Sequence, residues 1–149
     1  QKSILIADEL HPSSASAYNV VHALEILSDQ IDVNQIREAI AGLIQRHAML
    51  RTVFVRTDHG EVVQMVQPVR STDVMLNEMP FEQCLSELNN IKFNCYQAEP
   101  LCRFYVCNKH QQQFLIIVLH HSIVDGWSLK ILEQDLDRLL TCQPLEPLG

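Results

Sequence analysis

Two adjacent imidazoles and a carboxylate fall within seven residues, His120-His121-Ser122-Ile123-Val124-Asp125-Gly126. An imidazole titrates near neutrality, so a histidine here can take a proton from an attacking nucleophile or hold the nucleophile by a hydrogen bond. A carboxylate four residues on can orient such a histidine, as in a catalytic triad, or form an ion pair. The preceding residues, Phe114-Leu115-Ile116-Ile117-Val118-Leu119, are apolar without alternation, which predicts a strand covered on both faces. Beyond the cluster, Leu129, Leu132, Leu136, Leu139 and Leu140 recur at helical spacing. The histidines are therefore expected in a loop between a buried strand and a helix, a common place for function in α/β proteins. A plainer reading stands beside this one: Asp-Gly is a frequent turn pair, and strand-end histidines often serve structure.

No metal is expected at His120, His121 and Asp125, because no further ligand cluster accompanies them. Cys84, Cys95, Cys102, Cys107 and Cys142 are odd in number and contain no CxxC pair, so reduced, mostly buried thiols are expected rather than a zinc ribbon or a disulfide framework. At 149 residues and 47% hydrophobic, the chain can bury one core. A net charge of −7 argues against nucleic acid or an anionic membrane surface as partner. The longest apolar runs are too short to span a bilayer, and Asp8 and Glu9 interrupt the apolar start, so a cytoplasmic protein is expected.

The elements that must position the cluster can be read along the chain. Residues 19–27 suit a strand. Asp32 followed by Gln35 forms a capping box for a helix whose stripe is Val33, Ile36, Ile40, Leu43, Ile44 and His47. His47 closes that stripe and reads equally as a helix-end core histidine or a catalytic one. Segments 52–57 and 61–67 flank Asp58-His59-Gly60 as a hairpin. An edge strand near 73–77 precedes Pro80, and a helix from about Phe81 places Cys84, Leu85, Leu88 and Ile91 on one side. A second hairpin, 101–107 with 112–119, turns at Asn108-Lys109-His110-Gln111 and delivers the histidines. Gln143-Pro144-Leu145-Glu146-Pro147 reads as an exit segment.

The run His120 to Ser128 resembles the HHxxxDG core motif of condensation domains from nonribosomal peptide synthetases. Arg46-His47-Ala48-Met49-Leu50-Arg51-Thr52-Val53-Phe54 is similar to the RHExLRTxF motif of the same family, with Ala48 where Glu is usual. Two motifs in the right order are more specific than one. The chain start, with Asp8-Glu9-Leu10 and Ser16-Ala17-Tyr18-Asn19, is similar to the end of the family's first motif and the strand after it, although that motif's Arg and aromatic fall at Ser3 and Leu5. The resemblance implies an α/β fold of the α+β sandwich kind: a chloramphenicol acetyltransferase-like lobe with a mixed β-sheet packed with helices. It covers residues 1–149 as the N-terminal lobe alone, and later family motifs are not found. The expectation is a lobe without its C-terminal partner, inactive by itself and prone to self-association through an exposed apolar face.

The resemblance also implies roles. The intact domain would join a donor acyl or peptidyl thioester to an acceptor aminoacyl thioester, both delivered on the phosphopantetheine arms of carrier protein domains, with no cofactor of its own. His121 is the expected catalytic residue, as base or positioning group. An amide at Gly126 could face the oxyanion. His120 is expected to be structural. Asp125 either orients His121 or, as the resemblance implies, pairs with Arg46 or Arg51. Trp127 is expected to pack beneath the loop, and Ser128 to cap the following helix. Arg51 and Thr52 have an alternative role as a phosphate site. Neighbouring synthetase domains, as in antibiotic and other secondary-metabolite assembly lines, would be further partners. Two other classes remain: an HxxxD acyltransferase using coenzyme A or a similar carrier-bound donor, which shares His121, Asp125 and Gly126, and a non-catalytic carrier-docking module, which fits the Ser3, Leu5 and Ala48 departures.

Overall fold

The computed structural model describes residues 4–6, 19–27, 30–68, 76–88, 91, 101–120, 123, 126–142 and 145, giving only the backbone at 4–6, 19 and 126–128. Five strands form one mixed sheet: β1 (Ile4–Ile6), β2 (Asn19–Ile26), β7 (Gln112–His120), β6 (Cys102–Lys109) and β5 (Leu76–Pro80), side by side in that order. The neighbours are antiparallel except β5 and β6, which run parallel. Among the described residues, three α-helices, α1 (Val33–Arg46), α2 (Phe81–Leu88) and α3 (Gly126–Leu140), and a 3-10 turn at Ala48–Arg51 accompany the sheet. A separate hairpin pairs β3 (Thr52–Arg56) with β4 (Val62–Val66).

The unbroken apolar run of β7 has the cause its sequence suggests. Leu115, Ile117 and Leu119 pack in the layer with Ile36, Ile40, Leu43 and Ile44 of α1 and Leu132, Leu136 and Leu140 of α3. Ile116 and Val118 join Cys84 and Leu88 of α2 on the other face. A strand buried on both sides shows no polar alternation. The Phe81 ring meets Phe114 at 5.3 Å, tilted by 50°, and ties the start of α2 to the sheet. Helices α1 and α3 lie close where Gly42 faces Leu139; a Cβ at Gly42 would stand 3.2 Å from a Leu139 methyl.

The capping box at α1 forms as read: Asp32 Oδ1 accepts from the Gln35 amide at 2.8 Å, and Gln35 Oε1 accepts from the Asp32 amide at 2.8 Å. Removing such a cap costs about 1 kcal/mol. Asp32→Ala is expected to lower unfolding free energy by that amount in urea titration, with Asp32→Ser close to wild type.

The turns are tighter than the sequence suggests in one case. The β6–β7 hairpin closes on His110-Gln111 alone, because Asn108 and Lys109 pair with Gln113 and Gln112. His110 takes φ 57°, the left-handed conformation that two-residue hairpins demand. The β3–β4 turn follows the expected pattern, with Gly60 at φ 82° and its amide on the Thr57 carbonyl at 2.9 Å. The edge strand β5 runs through Pro80 into α2; its expected start at residues 73–75 lies outside the described residues. Proline is tolerated there because β5 is an edge. Cys84, Cys102, Cys107 and Cys142 are free thiols, Cys142 being exposed. Among the described residues, no helix is long and apolar enough to cross a membrane, and no group of three or more His, Cys, Asp or Glu could hold a metal.

Candidate active site

Strand β7 carries the chain to His120, and α3 begins at Gly126, so the histidine motif starts at a strand end and finishes at a helix start, in the order that the sequence predicts. The His120 amide donates to the Leu101 carbonyl at 2.9 Å and lies opposite Asn19, which fixes the strand end between two neighbours. By strand alternation His120 belongs with Ile116 and Val118 on the α2 side of the sheet, consistent with a structural role. Ile123 is buried in the α1–α3 layer. His121, Ser122, Val124 and Asp125 lie outside the described residues, as do the side chains of Trp127 and Ser128, the first-motif stretch other than residues 4–6 and 19, Cys95, and the exit segment apart from Leu145. One detail corrects the sequence reading: Ser128 falls inside the first turn of α3, since the helix already begins at Gly126, and the cap position precedes it.

The second motif forms the joint on which α3 rests. Arg46, in the last turn of α1, donates from Nε to Asp135 Oδ2 at 2.9 Å, and His47 Nε2 donates to the same oxygen at 2.6 Å. Asp135 is 4% exposed and His47 8%, so one carboxylate binds two donors in a nearly dry setting. This cross-link joins the end of α1 to the middle of α3, the helix that leaves the histidine loop. Of the two readings open for His47, its position beside Asp135 favours the helix-end structural one.

Arg51 serves the other side of the joint. Its Nε donates to the Ile44 carbonyl at 3.1 Å, Nη2 to Gln45 at 3.3 Å and Nη1 to Gln67 at 3.0 Å. The first two are helix-end carbonyls that would otherwise lack partners, so Arg51 closes α1 and ties it to the end of β4. Thr52 is buried and donates from Oγ1 to the Ala48 carbonyl at 3.0 Å. Both residues are engaged by the backbone, which favours their structural role over a phosphate site. Asp125 was expected to meet Arg46 or Arg51. Among the described residues Arg46 meets Asp135 and Arg51 meets carbonyls, while Asp125 itself is not described.

Asp135 is the residue that sequence reasoning missed. The signal was present: an acidic residue stands three positions after Leu132 and one before Leu136, within the apolar stripe of α3. A carboxylate at a core position calls for a buried partner.

Beneath α3 lies His22 of β2, which no sequence pattern singles out. Its Nε2 is buried with no hydrogen-bond partner among the described residues, and Glu133 Oε2 stands 3.7 Å away. Burial lowers the His22 pKa below its ordinary value, and Glu133 opposes that shift only in part. The unfolded chain therefore binds this proton more readily than the folded one, and stability falls as pH drops below about 6.5. Thermal melts between pH 7.5 and 5 should show a smaller acid-side loss for His22→Gln than for wild type; equal slopes would remove His22 as the cause.

Comparison with known proteins places this architecture. A family model described as Condensation domain matches residues 1–143. Bacitracin synthase 3 of Bacillus licheniformis is 32% identical over 152 residues, covering 99% of this chain and 2% of that protein. A linear gramicidin synthase of Brevibacillus parabrevis is 31% identical over 149 residues, covering 91% of this chain and 3% of that protein. The crystal structure of the starter condensation domain of rhizomide synthetase RzmA superposes with a TM-score of 0.67 at 18% identity, over 89% of this chain and 34% of that one. The chain thus spans a few per cent of these synthetases and about a third of the solved domain, whose fold it shares over that part. A family match over nearly its whole length, on a fold shared with a solved member, means that this chain belongs to the condensation-domain family.

Proposed function

We propose that this chain is the N-terminal, histidine-bearing lobe of a peptide-bond-forming condensation domain. The parent protein joins a donor acyl or peptidyl thioester to the amine of an acceptor aminoacyl thioester. The observation that carries this reading is the HHSIVDG run at the junction of a buried strand and α3, inside a family match that spans residues 1–143. Amide formation from a thioester needs a neutral, aimed amine and donors toward the oxyanion that forms at the carbonyl. His121 takes the amine's proton or holds the amine, and the Gly126 amide is the candidate donor to the oxyanion. Asp125 serves the loop's structure.

Carrier protein domains present both substrates on phosphopantetheine arms, and the lobe needs no cofactor of its own. The protein works in the cytoplasm. By itself the lobe supplies one wall of a two-lobed tunnel and does not turn over. The test is a condensation assay with aminoacyl-loaded donor and acceptor carriers, run with the chain alone and with the chain joined to a C-terminal condensation lobe. Product in the joined form alone supports the reading. Carrier binding without product in either form would leave a docking module, and acetyl transfer from coenzyme A would point to the wider HxxxD acyltransferases.

A further inference from the structure

Strand β4 reads Val-Val-Gln-Met-Val and is exposed along its whole length; Val62 is 48% exposed, Val63 41%, Met65 48% and Val66 52%. It pairs with β3 on one side, and no strand among the described residues pairs with its other side. Proteins usually protect such an edge with charge, proline or a bulge. β4 contains no charged residue or proline, and its register against β3 is unbroken from Thr52↔Val66 to Arg56↔Val62. An apolar, unprotected edge is a template for another strand.

The hydrogen-bond pattern says which strand fits. The Gln67 amide donates to the Arg51 carbonyl at 2.9 Å, and the Thr57 amide donates to the Glu61 carbonyl at 2.7 Å. In an antiparallel pair the bonded positions alternate, so residues 61, 63, 65 and 67 turn their backbone groups toward β3. Val62, Gln64 and Val66 turn theirs outward. That outward set is symmetric about Gln64. A second β4 laid antiparallel with Gln64 opposite Gln64 would bond Val62 to Val66, Gln64 to Gln64 and Val66 to Val62, leaving no outward group of the strand unmatched. Side chains agree: Val63 would meet Met65 on one face and Val62 would meet Val66 on the other. Glu61 would meet Gln67, so no like charges oppose each other.

We propose that β4 is a dimerisation strand, pairing antiparallel with β4 of a second copy of this chain about a two-fold axis at Gln64 and joining two hairpins into one four-stranded sheet. The inference is independent of the condensation reading. One short strand per partner makes a small interface, which places the dimer among weak, concentration-dependent associations.

Sedimentation velocity on the 149-residue chain across the micromolar range should show the mass doubling with concentration. Gln64→Pro removes an outward donor while leaving every bond to β3, so it should keep the far-UV circular dichroism of the wild type and remain monomeric. Val63→Lys and Met65→Glu should each weaken the dimer about tenfold or more. An equimolar mixture of these two variants should dimerise again, because the new ammonium at position 63 then faces the new carboxylate at position 65. A wild type that stays monomeric throughout, a folded Gln64→Pro chain that dimerises like wild type, or a mixture that stays monomeric would each overturn the proposal. If Gln64→Pro fails to fold, the mixed pair decides.

Discussion

Asp135→Asn is expected to cost about 3 kcal/mol of folding stability, measured by urea unfolding at neutral pH. The substitution keeps shape and removes only the charge that Arg46 and His47 share. Breaking a buried pair from one side costs about 3–5 kcal/mol, because the stranded charge has lost its water as well as its partner. Arg46 retains 18% side-chain exposure and can recover some hydration, which places the expectation at the lower end of that range. A domain of this size has about 5–15 kcal/mol in total, so the variant should be visibly marginal. The double variant Arg46→Met, Asp135→Leu should recover part of the loss, since it removes both charges and fills the space with apolar atoms. If Asp135→Asn stays within about 0.5 kcal/mol of wild type, as surface substitutions usually do, the joint contributes little to stability.

The same joint shows why some of the fold is legible in the sequence and some is not. Alternation and its absence identify β7, because burial on both faces leaves a simple record in Phe114 to Leu119. Spacing and a cap identify α1, because Asp32, Gln35 and the Ile36–Ile40–Leu43–Ile44 stripe act within one element. Both features are local. The partner of Arg46 and one partner of Arg51 are not: Asp135 is 89 residues from Arg46, and the Gln67 carbonyl is 16 from Arg51. No local pattern tells an arginine which of several carboxylates the tertiary fold will bring to it. The resemblance names Asp125 as a partner for these arginines; Asp125 lies outside the described residues, among which Asp135 is the carboxylate that meets Arg46.

Hairpin geometry divides in the same way. Gly60 announces its turn, because glycine is the ordinary occupant of a left-handed position. His110 does not, because only the pairing of Asn108 and Lys109 across the sheet forces a two-residue turn onto it. The histidine loop lies between these cases. Its place in the chain, after β7 and before α3, follows from sequence pattern alone, and the bounds of both elements agree with it. Its chemistry rests on residue identity and family.

His121→Ala, in a protein carrying both lobes, is expected to lower the single-turnover condensation rate by about 10²–10⁴-fold, the usual contribution of a positioned acid–base group. His120→Ala should stay within a few-fold of wild type, because His120 closes the strand and takes the sheet face of Ile116 and Val118. The contrast matters because the two residues are adjacent and chemically identical; only their place on the strand end separates them. Carrier affinity should be unchanged in both variants, so the loss would fall on the chemical step. Dependence on pH then distinguishes two roles for the imidazole. An acceptor α-amine is protonated at neutral pH and becomes neutral above about pH 8. If His121 removes that proton, the deficit of His121→Ala should shrink as pH rises through this range. If it aims the amine, the deficit should hold constant with pH, because neutral amine is no better placed without its hydrogen-bond partner. Equal rates for His121→Ala and wild type at every pH would take the catalytic role away from this motif.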